Sequence, residues 1–260
     1  MDLQLNNKYA LVCGSTAGIG KAAAMALAAE GVTVTLIARN IEKLKAVLNE
    51  LPQHRNHDYI VADFSNPEDL KVKVSNYIAG NHGFHILVNN TGGPAGGPIF
   101  SATIDEFESA FTQHLKCNHI LVQTLVPFMQ EENYGRIINV ISTSVKQPLD
   151  DLGVSNTIRG AVANWSKTMA NELGKFGITV NNVLPGATAT DRLSEIIKNK
   201  ALKSGKTEEE SARQMKSSVP AQRFAKPEEL ADAITFLASA RAAYINGINL
   251  PVDGGRTKSL

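Results

Sequence analysis

Apolar and polar positions alternate along this chain with two different periods, and the periods sort it into strands and helices. Tyr9–Cys13, YALVC, is a short continuous apolar run of the kind buried on both faces of a parallel sheet. Val32–Ala38, His57–Ala62, Phe84–Val88, Arg136–Ile141, Ile178–Val183 and Ile248–Val252 repeat that character, rich in β-branched residues. Between them lie stretches with helical spacing. One starts at Lys21, one spans Ile41–Leu51, and one opens at Asn66-Pro67, with Asn66 as the cap and Pro67 in the first helical position. Longer helical patterns cover Ile104–Gln130 and Val154–Phe176, and an amphipathic one covers Pro227–Ala238. Strand and helix in strict alternation predict a three-layer, doubly wound α/β fold with a parallel sheet of about seven strands. No linker and no internal repeat interrupts the pattern, so residues 1–260 read as a single domain. Thr188–Ser218 is polar and helical in pattern, broken at Gly205, and reads as a lid over a substrate cleft.

Glycines mark where such a sheet does its chemistry. Ligands of an open parallel sheet bind at the carboxyl ends of the strands, and every glycine-rich turn of this chain follows a strand. The first is the most telling: Cys13 is followed by Gly14, Ser15, Thr16, Ala17, Gly18, Ile19 and Gly20, and then by a helix. The start of a helix offers unpaired N–H groups and partial positive charge to a phosphate, and glycines let the phosphate approach the backbone. The spacing is G-x-x-x-G-x-G rather than the common G-x-G-x-x-G.

Composition narrows the partners. A net charge of +1 gives no field for nucleic acid or an anionic membrane. With 43% hydrophobic and 20% charged residues the chain is ordinary for a globular protein. No apolar run reaches the roughly 18 residues of a membrane span. The start of the chain lacks the build of a signal peptide. Two cysteines, Cys13 and Cys117, make no disulfide framework and suit a reducing cytoplasm. No Cys/His cluster suggests a metal, since His114 and His119 are five apart and off a common helix face.

Five segments taken in order, C-G-S-T-A-G-I-G (13–20), N-N-T-G (89–92), G-R-I-I-N-V-I-S (135–142), G-I-T-V-N-N-V-L-P-G (177–186) and I-N-L-P-V-D-G-G (248–255), resemble the short-chain dehydrogenase/reductase family, and within it the 3-oxoacyl-(acyl carrier protein) reductase-like branch. The resemblance implies a Rossmann-type fold, a nicotinamide cofactor and a small carbonyl or alcohol substrate. It places Gly14, Ser15, Gly18, Ile19 and Gly20 around the pyrophosphate and Asp63 and Phe64 by the adenine. Asn90 and Gly92 face the adenosine ribose and the sheet edge, and Pro185, Gly186 and Thr188 border the nicotinamide. It also implies a homo-oligomer, a tetramer or a dimer paired through the two long helices.

The cofactor's phosphate is legible separately. An acid at the end of the second strand hydrogen-bonds a ribose 2′-OH and repels a 2′-phosphate. Here that end reads Leu36-Ile37-Ala38-Arg39-Asn40, with no acid and one arginine able to pair with phosphate. NADP(H) is therefore expected over NAD(H), the alternative being that Arg39 is only a solvated charge.

The family's chemistry uses an asparagine, a serine, a tyrosine and, four residues after it, a lysine. Ser142 stands in the serine position. The tyrosine position, thirteen residues on, holds Ser155, and the lysine position holds Arg159. Neither Tyr134 nor Tyr244, the only tyrosines beyond residue 77, begins the helix after the fifth strand. Counting back from Gly135-Arg136 without a gap puts His114 in the asparagine position, with Asn118 as the shifted choice. A serine is a poor acid, and an arginine stays protonated but can hold a ribose or a substrate carboxylate. His114 is a candidate replacement acid or a helix histidine with one structural hydrogen bond. Asp150 and Asp151 are further candidates, or a solvated turn. Two functions compete: an NADP(H)-dependent oxidoreductase interconverting carbonyl and alcohol through Ser142, Ser155, Arg159 or His114, and an NADP(H)-binding sensor or scaffold with little turnover.

Overall fold

The computed structural model describes residues 1–259, and its seven strands form one parallel sheet in the order β3-β2-β1-β4-β5-β6-β7. The strands are β1 (Tyr9–Cys13), β2 (Thr33–Ala38), β3 (Asp58–Val61), β4 (Ile86–Asn89), β5 (Gly135–Val140), β6 (Ile178–Pro185) and β7 (Asn249–Val252). Strand order reverses between β1 and β4, so a crevice opens above their carboxyl ends. The helices are α1 (Gly18–Ala29), α2 (Ile41–Glu50), α3 (Pro67–Gly80), α4 (Ile104–Phe111), α5 (Cys117–Glu131), α6 (Gly153–Leu173), α7 (Asp191–Ser204), α8 (Glu208–Ser217) and α9 (Pro227–Ala238).

The strand period of two divides one apolar sequence between two cores. Ala10, Val12, Val34, Leu36, Ile86, Val88, Ile138 and Val140 face α1, α2 and α9. Their neighbours Leu11, Cys13, Ile37, Leu87 and Ile137 face the other way, onto α3, α5 and α6. Both faces are covered, which is why the strands read as continuous apolar runs rather than alternating ones.

Element ends follow local chemistry. Asn66 caps α3 by accepting from Asp69 N at 3.2 Å, and Pro67 takes the first turn, as expected. Gly31, at φ +83°, lies one residue past the α1 cap. Helix α1 begins at Gly18 rather than Lys21, so the last two glycines of the turn fall within its first turn. The long pattern at 104–130 is continuous but not uniform, because Thr112–Lys116 is a π-helical turn between α4 and α5. The polar stretch after Thr188 forms α7 and α8, with Gly205 at φ +66° ending the first.

An asparagine ladder crosses the sheet interior. Asn89, Asn139, Asn182 and Asn249 stand opposite one another in register. Asn89 donates to Asn139 at 2.8 Å, Asn139 to Asn182 at 3.1 Å and to Ser166 Oγ at 2.9 Å, and Asn182 to Asn249 at 2.8 Å. A one-residue slip would put these amides into apolar packing and leave their partners unpaired, so the ladder fixes the register of β4–β7.

Histidines stabilise the opposite, amino-terminal edge. His57 Nδ1 accepts from Val34 N at 3.0 Å and His85 Nδ1 accepts from Tyr9 N at 3.1 Å, so both rings must leave that nitrogen unprotonated. Burial lowers the pKa of both, and for His85 burial and then the charge of Lys8 bring it to about 4 despite Glu132 nearby. Between about 6.5 and 4 the unfolded chain therefore binds more protons than the folded one. The contribution of His85 is fully present above about pH 6.5 and lost as pH falls through 4. Urea midpoints measured from pH 7.5 to 4 are expected to fall across that window, and His85→Gln to flatten the fall. An unchanged slope in the variant overturns the assignment.

Candidate active site

Gly14 ends β1 in the left-handed region at φ +58°, and Gly18 opens α1 at φ +53°. A Cβ on Gly14 would lie 2.4 Å from Asn90 O, and one on Gly20 would lie 2.3 Å from Gly14 O and 2.6 Å from Asn90 Nδ2. Asn90, just past β4, donates its amide to Cys13 O and Gly14 O, each at 3.3 Å, and so clamps the glycine turn across the crevice. Within this turn the Ser15 hydroxyl is buried and has no hydrogen-bond partner among the described residues. An unsatisfied buried hydroxyl, a cradle without side chains and the exposed N–H groups of α1 together fit a pyrophosphate. Ile19 is half-buried against the core beneath.

At the far end of the crevice Arg39 is 76% exposed, with Nη1 4.0 Å from Asp63 Oδ2. Partial burial raises the Asp63 pKa, but the Ser65 hydrogen bonds and the Arg39 charge outweigh it and hold the carboxyl below its usual range. The adjacent Phe64 ring is buried among α3 and α5 side chains, and its carbonyl accepts from the Cys117 thiol.

Of the candidate catalytic groups, Arg159 is tied to the end of β5 and lies close enough to His114 to act on its charge. Ser142, following β5, accepts from Ser144 N at 3.0 Å. Ser155 lies in the first turn of α6, one turn before Arg159 on the same face. Arg159 is 7% exposed and donates through Nη1 to Val140 O at 3.1 Å, its one hydrogen bond among the described residues. Burial, with the charge of Arg192 added, lowers the guanidinium pKa to about 10, so it remains cationic at neutral pH. His114 lies in the π-helical turn, 2% exposed, with Nδ1 2.6 Å from Thr91 Oγ1. Burial and then Arg159 push its pKa down to about 2, so the imidazole is neutral. Asn118, the shifted choice, is buried on α5. Asp150 and Asp151 are exposed in the loop before α6.

The loop Gly92–Pro98 is held at several points. Gly97 donates to Asp151 O at 2.7 Å, Gly153 donates to Gly97 O at 3.1 Å, and Arg192 Nη2 donates to Pro94 O at 2.5 Å. Pro185 ends β6, and Gly186 packs so closely on the C-terminal turn that a Cβ would lie 2.7 Å from Asp253 Cα. Thr188 is buried, with Oγ1 donating to Gly186 O at 3.2 Å.

Three neighbours escaped the sequence reading. Thr190 caps α7 and leans over the glycine turn, its methyl 3.0 Å from where a Gly18 Cβ would be. Thr91 partners His114, and Arg192 approaches Arg159 from α7. Thr190 announces itself weakly as a cap three residues before Leu193. The other two are set by contacts between segments far apart in sequence. No group of three or more His, Cys, Asp or Glu able to hold a metal occurs among the described residues. No helix among them is long and apolar enough to cross a membrane.

A doubly wound parallel sheet with a side-chain-free glycine turn at its switch point defines a Rossmann-type α/β protein of the kind that binds dinucleotides. Comparison with known proteins gives the family. A family model described as "Enoyl-(Acyl carrier protein) reductase" matches residues 14–257. The NADPH-dependent reductase BacG of Bacillus subtilis is 29% identical over 98% of this chain and 100% of its own. The 3-oxoacyl-[acyl-carrier-protein] reductase FabG of Staphylococcus epidermidis is 30% identical over 96% of this chain and 98% of its own. L-sorbose reductase from Gluconobacter frateurii, solved in complex with NADPH and L-sorbose, superposes with a TM-score of 0.94 at 31% identity, with 100% of both chains covered. The chain belongs to the short-chain dehydrogenase/reductase family, and these relatives support a nicotinamide cofactor.

Proposed function

We propose that the protein is an NADP(H)-dependent oxidoreductase that interconverts a small carbonyl compound and its alcohol, a divergent relative of the 3-oxoacyl-(acyl carrier protein) reductases. One observation carries the reading: a glycine turn with a buried, unpartnered Ser15 hydroxyl stands at the switch point between β1 and β4, and Ser142, Ser155, Arg159 and His114 are read as the chemical end of the same crevice. Gly14, Ser15, Gly18, Ile19 and Gly20 hold the pyrophosphate, Arg39 the 2′-phosphate, and Asp63 with the Phe64 backbone flank the adenine. Asn90 braces the turn, Gly92 leaves room for the ribose, and Pro185, Gly186 and Thr188 border the nicotinamide. When bound, NADPH supplies the hydride and NADP⁺ takes it back in the reverse direction.

The side chains do the rest. Ser142 and Ser155 donate hydrogen bonds to the carbonyl oxygen. Arg159 stabilises the negative charge that develops there, from a desolvated position where one charge counts for more than in water. The developing alkoxide takes its proton from solvent, relayed through the Ser155 hydroxyl, which balances the hydride. His114, neutral at working pH, orients Thr91 and fills the space beside Arg159 without adding charge. α7 and α8 close over the substrate as a lid. The protein works in the cytoplasm as a homo-oligomer, a tetramer or a dimer. Ile104 at 71% and Phe111 at 47% exposure on α4 supply apolar surface for that association.

The test is a fluorescence titration with NADPH and NADH, followed by NADPH oxidation against a carbonyl panel. NADPH is expected to bind more tightly than NADH, and Arg39→Ala to raise the NADPH Kd by about 10- to 100-fold while leaving NADH nearly unchanged. Tighter NADH binding overturns the cofactor assignment. The altered positions Ser155 and Arg159 favour one other reading, a cofactor-binding sensor or scaffold. NADPH binding with no oxidation across the panel selects it.

A further inference from the structure

Two arginines from elements far apart in sequence meet over one glycine. A Cβ built on Gly93 would lie 4.0 Å from Arg159 Nη2, 3.8 Å from Arg192 Nη2 and 4.0 Å from Arg192 Nε. Gly93 has no side chain, and both guanidinium groups face the space it leaves. The edge that Arg192 presents, Nε with Nη2, is the edge that grips a carboxylate in bidentate fashion. Arg159 is buried and satisfied at only one nitrogen among the described residues. Arg192 has Pro94 O as a neutral partner and Glu195 as a loose one, 3.8 Å from Nη1 and 69% exposed. Neither compensates a pair of like charges held this close. Like charges are brought together at a cost, and that cost is offset when an anion sits between them.

We infer that Arg159 and Arg192 form a carboxylate-binding site above Gly93, and that the substrate is a short oxo acid rather than a neutral carbonyl compound. The inference rests on the reductase reading of the same site and names its substrate class. Placement limits the length of the substrate. Ser155 is one helical turn from Arg159, about 6 Å, and Ser142 is two residues beyond the carbonyl that Arg159 grips. Ser155 shares the helix with Arg159 and Ser142 follows the strand end that Arg159 grips, so the inference assigns a carbonyl one or two carbons from the carboxylate. The anion is recognised from α7 as well as α6, with Arg192 already held against the Gly92–Pro98 loop through Pro94 O.

The protein saturated with NADP⁺ is titrated by calorimetry with 2-oxobutanoate and with its methyl ester, a pair that forms dead-end complexes and needs no turnover. The acid is expected to bind about 100-fold more tightly than the ester, Arg192→Met to cut that preference to within a few-fold, and Arg192→Lys to keep part of it. Equal affinity for acid and ester, or no binding of either at about 10 mM, overturns the inference. Failure of NADP⁺ itself to bind overturns the reductase reading instead. A second variant works without ligand. Gly93→Asp places a carboxylate between the two guanidinium groups, and Gly93 is not among the residues with positive φ. It is expected to raise the melting temperature by a few degrees and to abolish oxo-acid binding. A lower melting temperature with oxo-acid binding retained counts against the site.

Discussion

Replacing Gly20 by alanine is expected to abolish NADP(H) binding, with the Kd rising by at least about 100-fold, and to lower the melting temperature. The added methyl group would lie 2.3 Å from the Gly14 carbonyl oxygen and 2.6 Å from the Asn90 amide, inside contact distance of backbone on one side and of the clamp on the other. Neither neighbour can yield cheaply. Gly14 is held at φ +58°, and Asn90 is fixed by two hydrogen bonds to the same turn. The methyl group therefore pushes the turn away from β4 and spoils the cradle around the unpartnered Ser15 hydroxyl. Gly160→Ala is the control. Gly160 lies within α6 with nothing within 4 Å of the position of its Cβ, so alanine is expected to stabilise by about 0.5–1 kcal/mol and leave cofactor affinity alone. Fluorescence titration and thermal melts of both variants decide it, and a Gly20→Ala protein that binds NADPH normally refutes the cradle.

The second large effect is expected at Arg159. Arg159→Met should lower kcat/KM by about a hundred- to a thousandfold, the usual cost of one lost charge-stabilising donor. The fold should tolerate it. The substitution leaves the Val140 carbonyl without its side-chain donor, but it also removes a buried cation whose desolvation is unfavourable, and the two terms oppose each other. A spectroscopic readout separates the catalytic role from a structural one. Arg159 is the second cause of the low His114 pKa after burial, so the variant should raise the His114 value from about 2 while leaving it below 6.5. Activity that survives in a variant with that shift removes Arg159 from the chemistry. Restoring the ordinary pair with Ser155→Tyr and Arg159→Lys places a proton donor of free pKa ~10 at the same spot. A gain of reductase activity there supports the alignment on which both positions rest.

Much of the molecule was legible before folding because it depends on neighbours in sequence. The strand runs, the Asn66-Pro67 start of α3 and the glycine turn after β1 are short-range patterns, and each element formed within a few residues of its expected place. The π-helical turn around His114 was not legible. Both α4 and the turn itself pack against α6, a contact between segments tens of residues apart. Nor were the contacts that Asp151 and Arg192 make with the glycine run at 92–98 legible, since both come from segments distant in sequence.

What the sequence determined by itself was the doubly wound fold, the glycine turn between β1 and α1, the serine and arginine at 155 and 159, and the arginine at the end of β2. All of these follow from residue type and local spacing, because hydrophobic period and glycine turns act over a few residues. The tertiary structure decided what those residues meet. It placed Asn90 across the glycine turn and lined up four asparagines from four strands. It buried His114 beside a cation, so that it is neutral, and brought Arg192 to the same glycine as Arg159. Each of these joins segments tens of residues apart. Burial and charge proximity, which set protonation and affinity, exist only once the sheet has assembled.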